Sequence, residues 1–348
     1  MKDLEKYLIE EGRSVRSALE SLSTVGLDTI LFVVNKNNQL VGSITDGDIR
    51  RKLLEGLKID DMLKEAMNSS PKYIKEYDYS ISEIVKLRKE NISVFPLLDK
   101  NHVIVDVINL RYQKSALPVD VVIMAGGKGL RLKPLTDNLP KPLLKIKGKC
   151  IIDYSFKRLR DFGVRNFSIS VNYLGDLLEQ HFKDRAESGI SVQIIRESEP
   201  KGTIGSASQV TEIKNDFVLV TNSDILTNLD YEDFFMDFIR NDADMSVVTI
   251  PYETEVPYAV IKTNGNIVKS LEEKPTYTYF SNAGIYLVKK EILKKIPRNQ
   301  FFDATDLIQV LLDDDLKIIN YPFKNYWIDI GRPKDFKKAQ DDAEKIRF

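Results

Sequence analysis

The chain has 348 residues, 43% of them hydrophobic, so it is long and apolar enough for two domains with sizeable cores. Lys and Arg total 51 and Asp and Glu total 52, and the resulting net charge of −1 does not indicate a nucleic-acid-binding surface. The one cysteine, Cys150, excludes an internal disulfide and argues against a cysteine-based zinc site; we expect it to pack, partly buried, just before a helix.

The first 60 residues predict a short α+β pattern. Their charged opening, MKDLEKYLIEEGRS, is not a signal peptide, and no apolar run approaches the roughly 20 residues that span a bilayer. We therefore expect a soluble, cytoplasmic protein without membrane contacts. Apolar residues recur at helical spacing from Val15 to Leu22, and the runs Ile30–Val34 and Leu40–Ile44 predict two strands. The segment 45–48 then begins another helix, with Thr45 or Asp46 as its cap.

Residues 1–60 resemble a CBS domain through the order strand, turn and L-V-G-S-I-T-D-G-D-I-R-R. In that family a Thr and the Asp three residues later hold the ribose of a bound nucleotide, and Thr45 and Asp48 match these positions. A hydroxyl and a carboxylate one helical turn apart can reach both ribose hydroxyls. Helix capping explains the same two residues equally well, since many such domains are purely structural.

Residues 61–117 repeat this order more weakly and resemble a second, degenerate CBS copy. When the two copies are aligned, Asn109 stands where the first copy has Thr45, and Tyr112 stands where it has Asp48. The ribose-binding pair is therefore lost. We predict that this copy completes the CBS pair without a full nucleotide site of its own.

A second domain is predicted at residues 118–348, and its residues 119–250 alternate strand and helix, a pattern typical of a parallel sheet in an α/β domain. The predicted strands are Val121–Met124, Asn166–Val171, Ile190–Ile195, Phe217–Val220 and Asp244–Ile250. His181 lies near the end of the predicted helix Asp176–Phe182, and His102 lies in a turn of the N-terminal region. We expect a surface or cap role for His181, a solvated His102 and no supporting partners for either, so we predict no histidine chemistry.

The most distinctive stretch is V-V-I-M-A-G-G-K-G-L-R-L-K-P-L-T-D-N-L-P-K-P-L-L-K at 121–145. Its glycines remove side chains directly after a strand, so backbone N–H groups can close on an anion. Two cations, Arg131 and Lys141, follow among prolines that stiffen the segment. The stretch therefore predicts a nucleoside triphosphate site. Its main-chain cradle is predicted at Ala125, Gly126, Gly127 and Gly129.

Two other phosphate-binding motifs do not fit this stretch. A G-x-G-x-x-G dinucleotide motif needs a third glycine where Leu132 stands. A Walker loop needs Gly-Lys-Ser/Thr opening a helix, and prolines follow here instead. An ordinary glycine turn explains the glycines alone, but not the cations at fixed offsets.

G-G-x-G-x-R-L-x-P-L-T followed by L-P-K-P-L resembles the signature of the sugar-1-phosphate nucleotidyltransferases, most closely their mannose-1-phosphate guanylyltransferase-like branch. The resemblance implies a Rossmann-like mixed-sheet α/β domain preceded by an α+β CBS pair. It implies GTP or another NTP and a sugar-1-phosphate as substrates. One departure is Leu130, where the family usually has Thr or Ser, so a hydroxyl contact to phosphate is missing while Arg131 is retained.

Further motifs of that family follow in chain order. N-S-D and W-x-D-I-G imply that Asp224 and Asp329 bind Mg²⁺, which shares phosphate oxygens with few protein ligands, although either residue alone would more commonly cap a helix. After the last glycine, Arg332 replaces the family's usual Thr. The segments E-x-x-P-x-G-T-x-G, E-K-P and N-A-G-x-Y imply the remaining contacts. These are Gly202 and Thr203 to the nucleotide, and Glu199, Glu273, Lys274, Asn282 and Gly284 to the sugar phosphate.

The resemblance implies transfer of a nucleotidyl group, GMP favoured, to a sugar-1-phosphate. In this reaction Arg131 holds the leaving pyrophosphate, Lys141 neutralises the α-phosphoryl oxygens, and Asp224 and Asp329 hold Mg²⁺. Glucosamine-1-phosphate is favoured as the acceptor, because the CBS pair ahead of the transferase resembles the guanylyltransferases of GDP-linked legionaminic acid biosynthesis. Transfer to mannose-1-phosphate and uridylyl transfer are the alternatives.

A function from another class is a CBS nucleotide sensor whose transferase half is catalytically silent. Retention of the catalytic cations and carboxylates argues against it. A regulatory nucleotide at the CBS pair is compatible with an active enzyme. Because CBS pairs commonly self-associate, we also expect a homodimer or higher oligomer.

Overall fold

A computed structural model describes residues 4–183 and 189–346 of the chain. The chain divides into two compact units. The first comprises the chain up to Pro118 with short later segments, and the second comprises most of the chain from Val119 onward. Within the described residues, no helix has the length and apolar character that crossing a membrane requires.

The first unit contains two small sheets, each accompanied by helices. Its elements are β1 (Leu8–Glu10), α1 (Val15–Val25), β2 (Ile30–Val34), β3 (Leu40–Thr45), α2 (Asp46–Leu54), β4 (Ile74–Lys75), α3 (Ile81–Lys89), β5 (Val94–Leu98) and β6 (Ile104–Asn109). The sheet orders are β1-β2-β3 and β4-β5-β6. In each sheet the first pair of strands is parallel and the second antiparallel, so the same arrangement occurs twice.

The second unit is built around one large sheet. Its elements are β7 (Val119–Met124), β8 (Lys145–Ile146), β9 (Lys149–Cys150), α4 (Ile151–Asp161), β10 (Asn166–Val171), α5 (Gly175–Lys183), β11 (Ser191–Arg196), β12 (Phe217–Asn222), β13 (Ile225–Thr227), α6 (Tyr231–Arg240), β14 (Met245–Glu255), β15 (Val260–Asn264), β16 (Ile267–Glu272), β17 (Thr276–Lys289), α7 (Ala304–Asp313), β18 (Ile318–Pro322), β19 (Trp327–Asp329) and α8 (Pro333–Asp342).

The large sheet has seven strands in the order β11-β10-β7-β12-β17-β14-β18. Strands β11, β10, β7 and β12 run parallel, whereas β17 is antiparallel to both of its neighbours, β12 and β14. The sheet is therefore mixed, as predicted for the domain. The strand β7 lies inside the parallel part and is apolar and buried over most of its length, which is typical of strands covered on both faces.

Strands β14 and β17 continue past the sheet as a two-stranded ribbon, and the hairpin β15–β16 follows at its far end. The residues of this arm are mostly exposed, including Tyr258 and Val268. The predicted strand Asp244–Ile250 ends where burial ends, but backbone pairing carries β14 on to Glu255. The sequence prediction was too short because hydrophobic patterning follows burial and not hydrogen bonding.

Candidate functional site

A cavity of about 770 Å³ opens where β7 and β12 end. Ligands gather at this edge of open α/β sheets because the loops after parallel strands meet there. The backbone N–H of Ser223 donates to the carbonyl of Met124 at 3.1 Å, which holds the two strand ends together. The lining includes Ala125, Gly126, Gly127, Gly129, Arg131, Lys141, Gly202, Thr203, Asp224 and Asp329, so ten of the predicted site residues share one cavity.

Two glycines of the loop after β7 are required by its geometry. Gly129 has φ +62°, a left-handed conformation, and a Cβ there would lie 3.0 Å from the Thr136 side chain. A Cβ on Gly126 would lie 2.8 Å from the carboxylate of Glu197. The hydroxyl of Thr136 donates to the carbonyl of Gly129 at 3.0 Å and braces the loop. The bare main chain therefore forms one wall of the cavity.

The predicted cations stand on short helical turns that prolines and glycines shape. Arg131 lies in the turn Leu130–Leu132, and its guanidinium packs so closely on Gly331 that a Cβ there would lie 3.1 Å from Nη2. Lys141 begins the turn after Pro140, and its side chain is only 11% exposed. The ammonium of Lys141 pairs with Asp224.

The two carboxylates are brought together by the short antiparallel pair β13 and β19. Ile328 and Ile330 are buried in the apolar cluster beneath, so alternation along the strand turns Asp329 toward the opposite face. The ammonium of Lys141 lies 3.7 Å from Asp329 Oδ1. Burial and the neighbouring Asp224 carboxylate raise the pKa of Asp329, although the charges of nearby cations act in the opposite direction.

A divalent cation fits this carboxylate pair. The Oδ1 atoms of Asp224 and Asp329 are buried and accept no hydrogen bond from the described residues. Oxygen atoms in this state need a cation or a donor, and a metal ion would also relieve the repulsion between the two charges.

The polar loop after β11 forms the facing wall. The backbone N–H and hydroxyl of Thr203 donate to Asp303 Oδ1 at 2.8 and 3.0 Å, and the hydroxyl accepts from the Ala304 N–H at 2.9 Å. Glu197 is 9% exposed; it accepts a hydrogen bond of 2.6 Å from the hydroxyl of Ser206 and lines the cavity. These contacts fix the loop before any ligand arrives.

Glu197, Lys201 and Phe301 line the cavity but were not among the predicted site residues. Lys201 is 6% exposed, and its ammonium makes no hydrogen bond or ion pair with a residue that the structure describes. The charge and spacing of Glu197 and Lys201 around Pro200 were visible signals. Phe301, an exposed aromatic side chain at the cavity, had none.

Five predicted sugar-side residues do not line the cavity: Glu199, Glu273, Lys274, Asn282 and Gly284. Glu273 and Lys274 follow β16 on the exposed arm. Asn282 Oδ1 accepts from the Gly284 N–H at 2.9 Å, and a Cβ on Gly284 would lie 2.5 Å from the side chain of Asn222, which does line the cavity. The sugar-binding roles of these residues stay predictions.

In the first unit, Thr45 and Asp48 form a capping box at the start of α2. The Asp48 N–H donates to Thr45 Oγ1 at 3.1 Å, and the Thr45 N–H donates to Asp48 Oδ2 at 2.9 Å. Capping thus accounts for both side chains in this structure, and a ribose contact stays a prediction. In the second copy Asn109 is buried and its Nδ2 donates to the hydroxyl of Tyr7 at 3.3 Å, while Tyr112 is exposed.

The expectation that both histidines lack partners is wrong. His181 is largely buried, and its Nε2 lies 2.7 Å from Asp153 Oδ1. The ring of His102 packs edge-on against that of Tyr73, with 5.1 Å between the centroids. The partners lie far away in sequence, so local spacing did not reveal them. Cys150 lies immediately before α4, as expected, and is buried where we expected partial burial.

Comparison with known proteins identifies both regions. Residues 120–346 match the nucleotidyl transferase family and residues 5–55 match the CBS domain, which confirms these two resemblances. A mannose-1-phosphate guanylyltransferase of Mycobacterium tuberculosis is 29% identical over 64% of this chain and 64% of its own length. A glucose-1-phosphate adenylyltransferase of Bacillus thuringiensis is 29% identical over 64% of this chain and 66% of its own.

Among solved structures, HddC of Yersinia pseudotuberculosis complexed with GMP-PN has a TM-score of 0.50 and 30% identity, covering 65% of this chain and 99% of that one. The fold of the second unit is thus that of nucleotidyl transferases. The chain spans less than two thirds of the length of the mycobacterial relative.

Proposed function

Because the chain belongs to the nucleotidyl transferase family, we propose that its second unit transfers a nucleotidyl group from an NTP to a sugar-1-phosphate. An oxygen of the sugar phosphate attacks the α-phosphorus in line, the bond from the α-phosphorus to the bridging oxygen breaks, and pyrophosphate leaves. The observation that carries this proposal is one cavity that joins a bare main-chain loop, two cations and two carboxylates. Phosphoryl chemistry needs positioning and charge neutralisation, and these groups supply both.

Each charged group has a role that follows from its place. The backbone of the glycine loop binds the triphosphate, and Arg131 at its end holds the leaving pyrophosphate. Lys141 neutralises the α-phosphoryl oxygens, and its pairing with Asp224 keeps the ammonium extended before substrate binds. Asp224 and Asp329 would hold Mg²⁺. When bound, this ion neutralises phosphate charge and aligns the two substrates.

Two buried side chains of the facing loop support guanine as the base. Guanine presents an acceptor, O6, beside two donors, N1–H and N2–H₂. The ammonium of Lys201 and the carboxylate of Glu197 offer the complementary donor and acceptors in the same cavity. Adenine and cytosine reverse this polarity, and uracil lacks the amino group. We therefore favour GTP over UTP, and both over ATP and CTP.

The sugar-1-phosphate acceptor is proposed from resemblance, not from contacts in the cavity. Glucosamine-1-phosphate is favoured on the resemblance of the whole chain to CBS-linked guanylyltransferases, and mannose-1-phosphate is next because a mannose-1-phosphate guanylyltransferase is among the relatives. A nucleotide at Thr45 and Asp48 would regulate turnover, and self-association through the CBS pair would give an oligomer.

Pyrophosphate release tests the proposal. Purified full-length protein is incubated with Mg²⁺, each of four NTPs and a panel of sugar-1-phosphates that includes glucosamine-1-phosphate and mannose-1-phosphate. We expect release that requires both substrates and is fastest with GTP. Nucleotide binding without pyrophosphate release for any pair would instead favour the nucleotide-sensor function.

A further inference from the structure

Three side chains with metal-binding atoms meet in the second unit, outside the lining of the cavity described above. Sγ of Cys150, a carboxylate oxygen of Asp153 and a ring nitrogen of His181 lie within 4.8 Å of one another. Cys150 directly precedes α4, Asp153 lies one turn further along the same face, and His181 lies near the end of α5. Two helices therefore bring the three donors to one point.

The chemistry of this set differs from that of the carboxylate pair. A thiolate, an imidazole and a carboxylate combine a soft, a borderline and a hard ligand, a mixture that Zn²⁺ accepts and that Mg²⁺, which prefers oxygen ligands alone, does not. With three protein ligands, a tetrahedral ion keeps its fourth position for water. Asp224 and Asp329 supply only oxygen, so the two locations select different ions.

The surroundings resemble those of protein zinc sites. Cys150 and Asp153 are buried and His181 nearly so, and the ring of His181 packs edge-on against Phe182 at 5.3 Å between centroids. Burial beside an aromatic ring restricts the access of water to a bound ion. The present 2.7 Å between His181 Nε2 and Asp153 Oδ1 would open by roughly half an ångström to admit Zn²⁺ at bond lengths of about 2 Å.

Although the single cysteine argued against a cysteine-based zinc site, we propose that Cys150, Asp153 and His181 form a site for Zn²⁺ or a similar borderline divalent ion, separate from the transferase cavity. Binding displaces the thiol proton and replaces the hydrogen bond between His181 and Asp153 with bonds to the ion. The ion would cross-link the start of α4 to the end of α5.

The chain contains one cysteine and two histidines, so a thiolate or imidazole ligand can be assigned to one residue by substitution. Full-length protein, held in excess Mg²⁺ so that the oxygen site is occupied, is titrated with Co²⁺ and followed by absorption. We expect one equivalent to produce a thiolate-to-cobalt charge-transfer band, since Cys150 is the one sulfur ligand of this type in the chain. Zn²⁺ should then displace Co²⁺ and remove the band.

Variants assign the ligands. Cys150→Ser should abolish the band, and His181→Asn should weaken Co²⁺ binding at least ~10-fold, whereas His102→Asn, the matched change at the other histidine, should leave the titration unaltered. If Cys150→Ser fails to fold, thiol modification of the unsubstituted protein replaces it, and Zn²⁺ should slow modification of Cys150. No thiolate band, or a band that His181→Asn does not weaken, would overturn the proposal.

Discussion

The backbone N–H of Ile330 donates a hydrogen bond of 3.0 Å to the carbonyl of Asp224. This contact continues the pairing of β13 with β19, in which Ile225 lies opposite Asp329. The two acidic side chains are therefore positioned by main-chain hydrogen bonds between segments about 100 residues apart. Two like charges held this close repel each other, so the arrangement favours a function in which a cation binds between them.

Asp224→Asn should lower the rate of pyrophosphate release on the order of 10³-fold, because it removes a carboxylate that holds the metal ion and pairs with Lys141. The measurement is a steady-state rate with GTP and the best sugar-1-phosphate. Asp216→Asn is the matched control. Asp216 is exposed and lies directly before β12, whereas Asp224 lies just after the other end of that strand. Near-normal turnover of Asp224→Asn would remove this residue from the mechanism.

Asp329→Asn should raise the melting temperature in the absence of divalent metal, on the order of 2 °C, while lowering activity. The raised pKa of Asp329 means that the fold favours the neutral carboxyl. The neutral Asp329 carboxyl stabilises the fold. This stabilisation is fully present at low pH and is lost as the pH rises through the raised pKa, because the ionised form repels Asp224. The higher melting temperature of Asp329→Asn should therefore appear at neutral pH and disappear at acidic pH. A lower melting temperature at neutral pH would contradict this account.

Gly129→Ala should lower the free energy of unfolding by about 1–3 kcal/mol. The alanine must adopt φ +62°, and its Cβ would press against Thr136 and Lys141 at 3.0 and 3.1 Å. Denaturant unfolding measures the change. Gly127→Ala is the control within the same loop, because a Cβ there meets nothing within 4 Å. Equal stability of the two variants would show that the loop tolerates a side chain at Gly129.

Glu197→Gln should raise KM for GTP about 10- to 100-fold, because a hydrogen bond to a charged group contributes about 1.5–3 kcal/mol. Lys201→Met should reduce the preference for GTP over ATP through loss of the contact to O6. The measurement is kcat/KM for each NTP. Glu212→Gln, a change at an exposed carboxylate outside the cavity lining, should leave the GTP values unchanged. Unaltered base selectivity in both cavity variants would contradict guanine recognition by these side chains.

The sequence predicted those strands and site residues that depend on a local pattern. The strand β2 has the predicted bounds Ile30–Val34, and the glycines, Arg131 and Lys141 share a cavity because they lie close in sequence and follow one strand. The two aspartates that the motifs singled out, Asp224 and Asp329, also line this cavity.

Contacts between segments that are far apart in the chain could not be predicted from the sequence. The hydrogen bond between His181 and Asp153 joins two helices. The hydrogen bond from Thr203 to Asp303 joins residues 100 positions apart in the chain. Lys274 lies on the exposed arm because β14 and β17 pair beyond the sheet, and no periodicity encodes that pairing.

Every proposed role depends on a nucleoside triphosphate binding over the bare main chain of residues 125–129, between Arg131 and Lys141. A crystal structure with a non-hydrolysable GTP analogue and Mg²⁺ tests it most directly. We predict phosphate oxygens within hydrogen-bonding distance of these backbone N–H groups, the ion between Asp224 and Asp329, and the base beside Glu197. Nucleotide phosphates bound elsewhere, with this loop empty, would contradict the account.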